Sequence, residues 1–311
     1  MKKIIKIGTR KSMLALWQSN WIKGMIEERY PEVTVELVRI VTKGDKIVDV
    51  PLAKVGGKGL FVKEIEEALL NGEADIAVHS MKDVPTVLPE ELHIGIITKR
   101  QDPRDAFVSN KYKALDELPQ GAKIGTSSLR RKSQLHRTRP DLVIEDLRGN
   151  LDTRIKKLDD GLFDAIILAA AGMRRLGWEN RITRCFTSEE MLPAIAQGAV
   201  GIELRKKDTD LLNALSFMHD EETAITVTAE RAFLTRLEGG CQVPIGGFGQ
   251  LRDGKLSFTG LIAAVDGSRI LMETTIGEPA EAEAIGLETA EKLLAKGGGE
   301  ILAEVYGSSI S

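Results

Sequence analysis

The spacing of apolar residues predicts a chain of alternating strands and helices. Residues 3–8 and 33–41 have the pattern of short strands, and between them apolar residues recur at helical spacing from Met13 to about Arg29. Further along, the pattern predicts a helix over residues 62–70 and a buried strand over residues 75–78. Such alternation is typical of βαβ units and a mainly parallel sheet.

The same order of elements recurs later in the chain. Lys6-Ile7-Gly8-Thr9 returns as Lys123-Ile124-Gly125-Thr126, and Gly72-x-x-Asp75 before an apolar strand returns as Gly161-x-x-Asp164. Two identities in the same order predict two similar α/β domains. Since ligands of open α/β sheets bind at the carboxyl ends of the strands, we expect a binding cleft between these domains.

The pattern changes near residue 221. Residues 223–237 predict an amphipathic helix, and three strands follow at about 248–251, 256–265 and 269–276. The dipeptides Asp253-Gly254 and Asp266-Gly267 predict tight turns, so these strands are expected to form antiparallel hairpins. With a last helix over about 280–295, this region reads as a small α+β domain.

Composition narrows the class of protein. The 311 residues, 42% hydrophobic and 29% charged, suffice for two or three globular domains. No apolar run approaches the roughly 18–20 residues of a membrane span, and the start of the chain lacks a signal-peptide core. We therefore expect a cytoplasmic protein without a membrane partner. Cys185 and Cys241 imply no disulfide framework, and with four scattered histidines they predict no metal site.

Positive charge is concentrated in one part of the chain. The net charge is −3, yet residues 123–157 contain ten lysines and arginines against four acidic residues. Such a cluster is consistent with a confined anion site and equally with a solvated helix face.

Arginine and hydroxyl side chains gather where predicted strands lead into helices. Free N–H groups and the helix dipole favour anions at such junctions, and arginine binds carboxylates or phosphates in a bidentate manner. The hydroxyl residues are equally typical of ordinary helix caps. The candidates are Arg10 and Ser12 at one junction, Thr126, Ser127, Ser128, Arg130 and Arg131 at a second, and Arg148, Arg154, Arg174 and Arg175 at the ends of other elements.

Two loops carry further reactive groups. Lys82 and Asp83 follow the predicted strand 75–78, where they suit an anionic and a cationic group respectively, or form a loop ion pair. Cys241 lies on a turn between Gly240 and Pro244, which suits a nucleophile or a covalent attachment point. The long connection 42–60 has little helix or strand pattern and is expected to be a mobile lid or a disordered segment.

Taken together, these segments resemble the porphobilinogen deaminase family. Gly239-Gly240-Cys241-Gln242-Val243-Pro244-Ile245-Gly246, with Glu230-Arg231 upstream, is similar to the family's cofactor-attachment motif. The resemblance extends through residues 8–12, 79–85, 125–131, 148–150 and 191–198. Met81, Gln101 and Leu151 depart from the family pattern, but no charged or nucleophilic group is lost.

The resemblance implies an α/β fold of three domains. Two periplasmic-binding-protein-like α/β domains would flank a cleft, and a C-terminal α+β domain would carry a three-stranded antiparallel sheet. The expected domains are residues 1–99 with 200–217, residues 104–193, and residues 221–311. The family also suggests a monomer.

The resemblance further implies a reaction and a cofactor. A dipyrromethane cofactor would be joined to Cys241 through a thioether, four porphobilinogen molecules would be added head to tail with loss of ammonia, and water would release hydroxymethylbilane for haem biosynthesis. Asp83 would be catalytic, stabilising the cationic azafulvene that loss of ammonia leaves. The implied cofactor-binding residues are Cys241, Lys82, Asp83, Thr126, Ser127, Ser128, Arg130, Arg131, Arg148 and Gly172. The implied substrate-binding residues are Arg10, Ser12, Phe61, Arg148, Arg154, Arg175 and Gln197.

Two other classes of protein compete with this interpretation. A non-catalytic two-lobed anion-binding module also has two α/β lobes and an arginine cleft, but a secreted receptor needs an export signal and has no use for Cys241 on its turn. A nucleic-acid binder is disfavoured because only 5% of the residues are aromatic and no reader motif is recognised.

Overall fold

The computed structural model describes residues 2–46, 62–238 and 243–307. The chain divides into two compact units, residues 1–101 with 199–224 and residues 102–198 with 225–311. The sequence-based division into three domains stays a prediction. Phe61, Cys241 and most of the predicted lid 42–60 lie outside the described residues.

The first unit is built on a five-stranded mixed sheet. Its strands are β1 (Ile4–Thr9), β2 (Thr34–Arg39), β3 (Ile76–Ser80), β4 (Leu92–Ile97) and β10 (Val200–Arg205), in the spatial order β2-β1-β3-β10-β4. Strand β1 is parallel to β2 and β3, whereas β10 is antiparallel to β3 and β4. The helices are α1 (Met13–Arg29), α2 (Lys43–Lys46), α3 (Lys63–Leu70) and α7 (Thr209–Leu215). Helix α2 falls in the connection for which the sequence predicted little regular structure.

The second unit contains a sheet of the same design. Its strands are β5 (Asp105–Val108), β6 (Lys123–Gly125), β7 (Val143–Glu145), β8 (Ala165–Ala169) and β9 (Arg184–Cys185), in the order β7-β6-β8-β5-β9. Strand β6 is parallel to β7 and β8, and β5 is antiparallel to β8 and β9. The associated helices are α4 (Leu129–Thr138), α5 (Leu151–Asp159) and α6 (Ala170–Arg175).

The repeated Gly-x-x-Asp motif has the same structural role in both sheets. The Asp75 carboxylate accepts a hydrogen bond from the Lys6 N–H at 2.9 Å, and the Asp75 N–H donates to the Lys6 carbonyl at 2.8 Å. Asp164 makes the same two bonds with Lys123, at 2.8 and 2.9 Å. The glycine of each motif has a left-handed φ, +74° or +78°, which favours glycine. The motif therefore joins the central strands, β1 to β3 and β6 to β8.

The rest of the second unit is a three-stranded antiparallel sheet with helices. Strands β11 (Ile245–Arg252), β12 (Lys255–Ala263) and β13 (Ile270–Gly277) pair in chain order. Phe233 in helix α8 (Glu221–Arg236) packs edge-on against Phe258 in β12, with ring centroids 5.2 Å apart. Helix α9 (Ala282–Leu293) corresponds to the predicted last helix. A further helix, α10 (Gly299–Tyr306), follows after a π turn in which Gly297 has φ +92°.

These three sheets confirm the predicted fold class. In the ranges that the structure describes, none of the helices combines the length and apolar character needed to cross a membrane.

Candidate active site

The predicted arginine junction of the second unit is organised around a buried carboxylate. Asp105 is fully buried at the start of β5; its Oδ2 lies 2.7 Å from Arg130 Nη1, and its Oδ1 lies 2.6 Å from Arg131 Nη2. Arg130 also donates to the Leu192 carbonyl at 2.7 Å and Arg131 to the Ile167 carbonyl at 2.9 Å. We call Asp105, Arg130 and Arg131 the arginine cluster.

The arginine cluster carries an excess of positive charge. Burial raises the pKa of Asp105, but the charges of Arg130 and Arg131 outweigh burial and hold that pKa well below its usual range. One carboxylate therefore faces two guanidinium groups. Sequence reasoning missed Asp105, which lies 25 and 26 residues before the two arginines that it pairs with.

Arg175, at the end of α6, is a second buried cation. Its side chain is 8% exposed, and Nη2 donates to the Gly198 carbonyl at 2.7 Å. Burial lowers the pKa of Arg175 to about 10, so the side chain stays charged at neutral pH. No acidic side chain in the described part of the chain forms an ion pair with it. Because buried charges are normally paired, this guanidinium fits a ligand that carries a carboxylate.

The hydroxyl residues of this junction make local hydrogen bonds. Ser128 caps helix α4, its Oγ accepting from the Arg131 N–H at 3.5 Å, and Thr126 Oγ1 accepts from the Ser128 N–H at 3.2 Å. Ser127 Oγ donates to the Leu147 carbonyl at 3.0 Å. The ordinary capping role considered for these residues is thus present, at the start of the helix that carries both arginines.

Other predicted residues follow neighbouring strands of the same sheet. Arg148 and Arg154 are partly exposed beside the start of α5, and Arg154 Nε donates to the carbonyl of Gly149, which has φ +106°. Gly172 is buried in α6. Since β6, β7 and β8 are parallel, residues 126–131, 148–154 and 172–175 all lie beyond the carboxyl edge of this sheet.

Gln197 joins the arginine cluster directly. Its Nε2 donates to Asp105 Oδ1 at 3.0 Å and to the Pro103 carbonyl at 2.6 Å. The next residue, Gly198, is the one whose carbonyl accepts from Arg175. The segment that contains Gln197 therefore touches both buried cationic centres.

In the first unit, the predicted residues lie at the carboxyl edge of the first sheet. Arg10 and Ser12 follow β1, and Ser12 caps α1 by accepting from the Ala15 N–H at 3.3 Å. Lys82 and Asp83 lie in a short 3-10 turn directly after β3, with the Asp83 side chain exposed. Because β1 and β3 are parallel neighbours, the structure brings these residues to one edge of the sheet.

The first unit also contains a buried acidic pair that the sequence did not reveal. Glu203 in β10 has Oε2 2.8 Å from His79 Nε2 in β3. Burial and the nearby Glu203 carboxylate raise the pKa of Glu66, in α3, to about 7. One carboxylate oxygen of Glu66 and one of Glu203 have no hydrogen-bond partner among the described residues.

Cys241 and Phe61 lie outside the described residues. Helix α8 ends at Arg236 before Cys241, and β11 begins at Ile245 after it. Within the described ranges, no group of three histidine, cysteine or acidic residues is arranged to hold a metal ion.

Comparison with known proteins decides the family. Residues 5–213 match the family model described as porphobilinogen deaminase, dipyromethane cofactor binding domain. The chain belongs to the porphobilinogen deaminase family. A second model, the porphobilinogen deaminase C-terminal domain, matches residues 224–295.

Curated porphobilinogen deaminases align with almost the whole chain. The protein from Geobacter metallireducens is 56% identical over 309 residues, covering 99% of this chain and 97% of the relative. The protein from Geobacter sulfurreducens is 57% identical over 307 residues, covering 99% and 96%. The cofactor of the family, dipyrromethane, is thus the cofactor of this chain, and the buried cations of the second unit fit a group that carries carboxylates.

Solved structures with a similar arrangement are more distant. A nutrient binding protein from Burkholderia cenocepacia bound to methionine is 16% identical, with a TM-score of 0.41, covering 68% of this chain and 89% of that protein. These values are too low to bear on function.

Proposed function

We propose that this chain condenses four porphobilinogen molecules head to tail, releases ammonia at each addition, and then hydrolyses off hydroxymethylbilane. The observation that carries this proposal is the match of both porphobilinogen deaminase domains, over residues 5–213 and 224–295. The chain is accordingly a transferase of tetrapyrrole biosynthesis that supplies haem. We place it in the cytoplasm as a monomer, without a nucleic-acid or membrane partner.

Cys241 is the proposed attachment point of the dipyrromethane, through a thioether. When bound, this group supplies the pyrrole carbon to which the first substrate unit is joined. We assign its carboxylates to residues at the carboxyl edge of the second sheet and its pyrrole N–H groups to the turn after β3. The proposed binding residues are Lys82, Asp83, Thr126, Ser127, Ser128, Arg130, Arg131, Arg148 and Gly172.

Fixed cations are needed because every porphobilinogen unit brings an acetate and a propionate. A growing chain accumulates these carboxylates, and buried arginines bind them in fixed geometry without prior reorganisation. Arg175 supports this assignment best, since its buried guanidinium bonds a carbonyl and no described carboxylate. The other proposed substrate-binding residues are Arg10, Ser12, Phe61, Arg148, Arg154 and Gln197.

Asp83 is the proposed catalytic residue. Departure of ammonia leaves a cationic azafulvene, and a carboxylate beside the pyrrole N–H stabilises that developing charge. The side chain of Asp83 is exposed just after the carboxyl end of β3. Open α/β sheets bind their ligands at this end of the strands, which supports the role.

The first test is the intact mass of the purified protein under denaturing conditions. We expect the wild-type chain to carry the extra mass of two linked pyrrole units, and Cys241→Ser to carry none. Cys185→Ser is the matched control and should retain the modification. A wild-type chain that remains unmodified and inactive after incubation with porphobilinogen would contradict the proposed function.

A further inference from the structure

Glu230, in the middle of α8, holds two separate backbone segments together. Its side chain is fully buried. Oε2 accepts a hydrogen bond from the Ala196 N–H, and Oε1 accepts from the Gly249 N–H in β11 at 2.9 Å. Hydrogen bonds from backbone amides to a buried carboxylate are among the stronger ones in proteins. Glu230 therefore links α8, β11 and the turn that contains Ala196.

Ala196 has an unfavourable backbone conformation. Its φ is +56°, in the left-handed region that residues with a Cβ atom rarely adopt. Its N–H is the group that Glu230 binds. The hydrogen bond to Glu230 thus stabilises a backbone conformation that is unfavourable for alanine.

The two residues after Ala196 contact the buried cations of the second unit. Gln197 donates to Asp105, the carboxylate of the arginine cluster, at 3.0 Å. The Gly198 carbonyl accepts from Arg175 Nη2 at 2.7 Å. Gln197 and Gly198 follow Ala196 directly in the chain. A change in the backbone conformation of Ala196 therefore displaces the Gln197 amide from Asp105 and the Gly198 carbonyl from Arg175.

Strand β11 packs closely against the residues that lead into this turn. The Gly247 N–H donates to the Pro193 carbonyl at 3.0 Å, and a Cβ atom built on Gly247 would lie 2.4 Å from Ile195 Cδ1. Gly249 also lies close to α8, since its Cβ would lie 3.1 Å from the Cβ of Thr226. Helix, strand and turn are therefore in direct contact around Glu230, and a shift in one is transmitted to the others.

We propose that Glu230 is a positioning residue that fixes Arg175 for binding of the substrate carboxylates and the arginine cluster for binding of the cofactor carboxylates. It acts through the Ala196 N–H, the Gln197 amide and the Gly198 carbonyl, and it touches no substrate itself. This inference rests on the proposed function, in which Arg175 binds porphobilinogen. It gives a role to Glu230, which the sequence placed in a motif without one.

The test is Glu230→Gln in the holoenzyme, with Glu222→Gln, an exposed position of the same helix, as the control. The glutamine keeps the shape of the side chain but turns an NH2 group toward one of the two N–H groups. We expect KM for porphobilinogen to rise about tenfold with kcat changed less than about twofold, because carboxylate binding weakens equally in the ground and transition states. Hydrogen exchange of the amides at residues 196–198 should accelerate, while exchange in β12 stays as in the wild type.

A rescue experiment separates positioning from general stability. Glycine adopts a positive φ freely, so Ala196→Gly added to Glu230→Gln should recover part of the lost affinity. A normal KM in Glu230→Gln, or accelerated exchange through β12 as well, would overturn the inference. So would rapid exchange of the Ala196 amide in the wild-type holoenzyme, a measurement that needs no variant. A wild-type chain without dipyrromethane would instead count against the proposed function.

Discussion

Asp105 is the counter-ion of two buried arginines, so we expect its replacement by asparagine to destabilise the folded protein strongly. In Asp105→Asn the charges of Arg130 and Arg131 lose their neutralising partner inside the protein. Removing one partner of a buried ion pair costs about 3–5 kcal/mol, so we expect the free energy of unfolding to fall by about that amount. Urea unfolding measures it. Asp116→Asn, at an exposed position, is the control, and an equal loss in both variants would contradict the prediction.

Asp83 differs from Asp105 because it is exposed and its expected contribution is to rate. We predict that Asp83→Ala retains the dipyrromethane, visible in the intact mass, and lowers kcat by about 100- to 1000-fold. This corresponds to about 3–4 kcal/mol of electrostatic stabilisation of the cation. Glu90→Ala, an exposed acidic residue further along the chain, should keep its turnover. Near-normal turnover of Asp83→Ala would exclude the catalytic role.

Two hairpin turns of identical sequence type differ in their surroundings. Gly254 and Gly267 both have φ +74°, but a Cβ atom on Gly267 would lie 2.6 Å from the Ser133 carbonyl oxygen in α4, whereas nothing lies within 4 Å of one on Gly254. Alanine at either position costs about 1 kcal/mol for its positive φ. We expect Gly267→Ala to lose about 1–3 kcal/mol more through overpacking, measured by urea unfolding. Equal losses would show that the β12–β13 turn does not depend on its contact with α4.

Helix α3 and strands β3 and β10 share the buried Glu66, Glu203 and His79, and this predicts a pH dependence of stability. The pKa of Glu66 is about 7 in the folded protein against an ordinary value of 4.5, so the folded state binds the proton more tightly. The free energy of unfolding should therefore fall as pH rises from about 4.5 through about 7, by up to about 3 kcal/mol.

Glu66→Gln removes this titration. We expect the variant to gain stability relative to the wild type at pH 8 and to show a weaker decline between pH 5 and pH 8, measured by urea unfolding. Glu67→Gln, the exposed neighbour in the same helix, should retain the wild-type decline. An unchanged pH dependence in Glu66→Gln would show that another group is responsible.

At the scale of elements, local signals explain what could be predicted. The Asp-Gly dipeptides predicted the hairpins between β11 and β13, and the repeated Gly-x-x-Asp motif predicted two sheets of one design, because each signal concerns residues that are neighbours in the chain. The partners of the buried charges could not be predicted in this way. Asp105 lies 25 and 26 residues from Arg130 and Arg131, and Glu230 lies 34 residues from Ala196. No periodicity or turn pattern spans such separations.

At the scale of the whole molecule, strand β10 joins two distant parts of the chain in one sheet, and this determines which segments can fold together. Strand β10 lies between β3 and β4, yet 102 residues separate Val200 from Thr98, whose N–H donates to the Val200 carbonyl at 3.0 Å. Val200, Ile202 and Leu204 are fully buried in the core of the first unit. Residues 1–101 therefore lack an interior strand of the sheet to which they belong.

This topology predicts how fragments of the chain fold. Residues 1–101 alone lack β10, so β4 has no strand to pair with and the apolar residues that β10 covers are exposed to water. We expect this fragment to show no cooperative urea transition by circular dichroism. Joining residues 199–220 to it through a short glycine-rich linker should restore one, because Thr98 and Val200 are in hydrogen-bond contact. As a control, the joined fragment with Ile202→Asp should not fold, because the substitution buries an unpaired charge. Cooperative unfolding of residues 1–101 alone would show that β10 is dispensable.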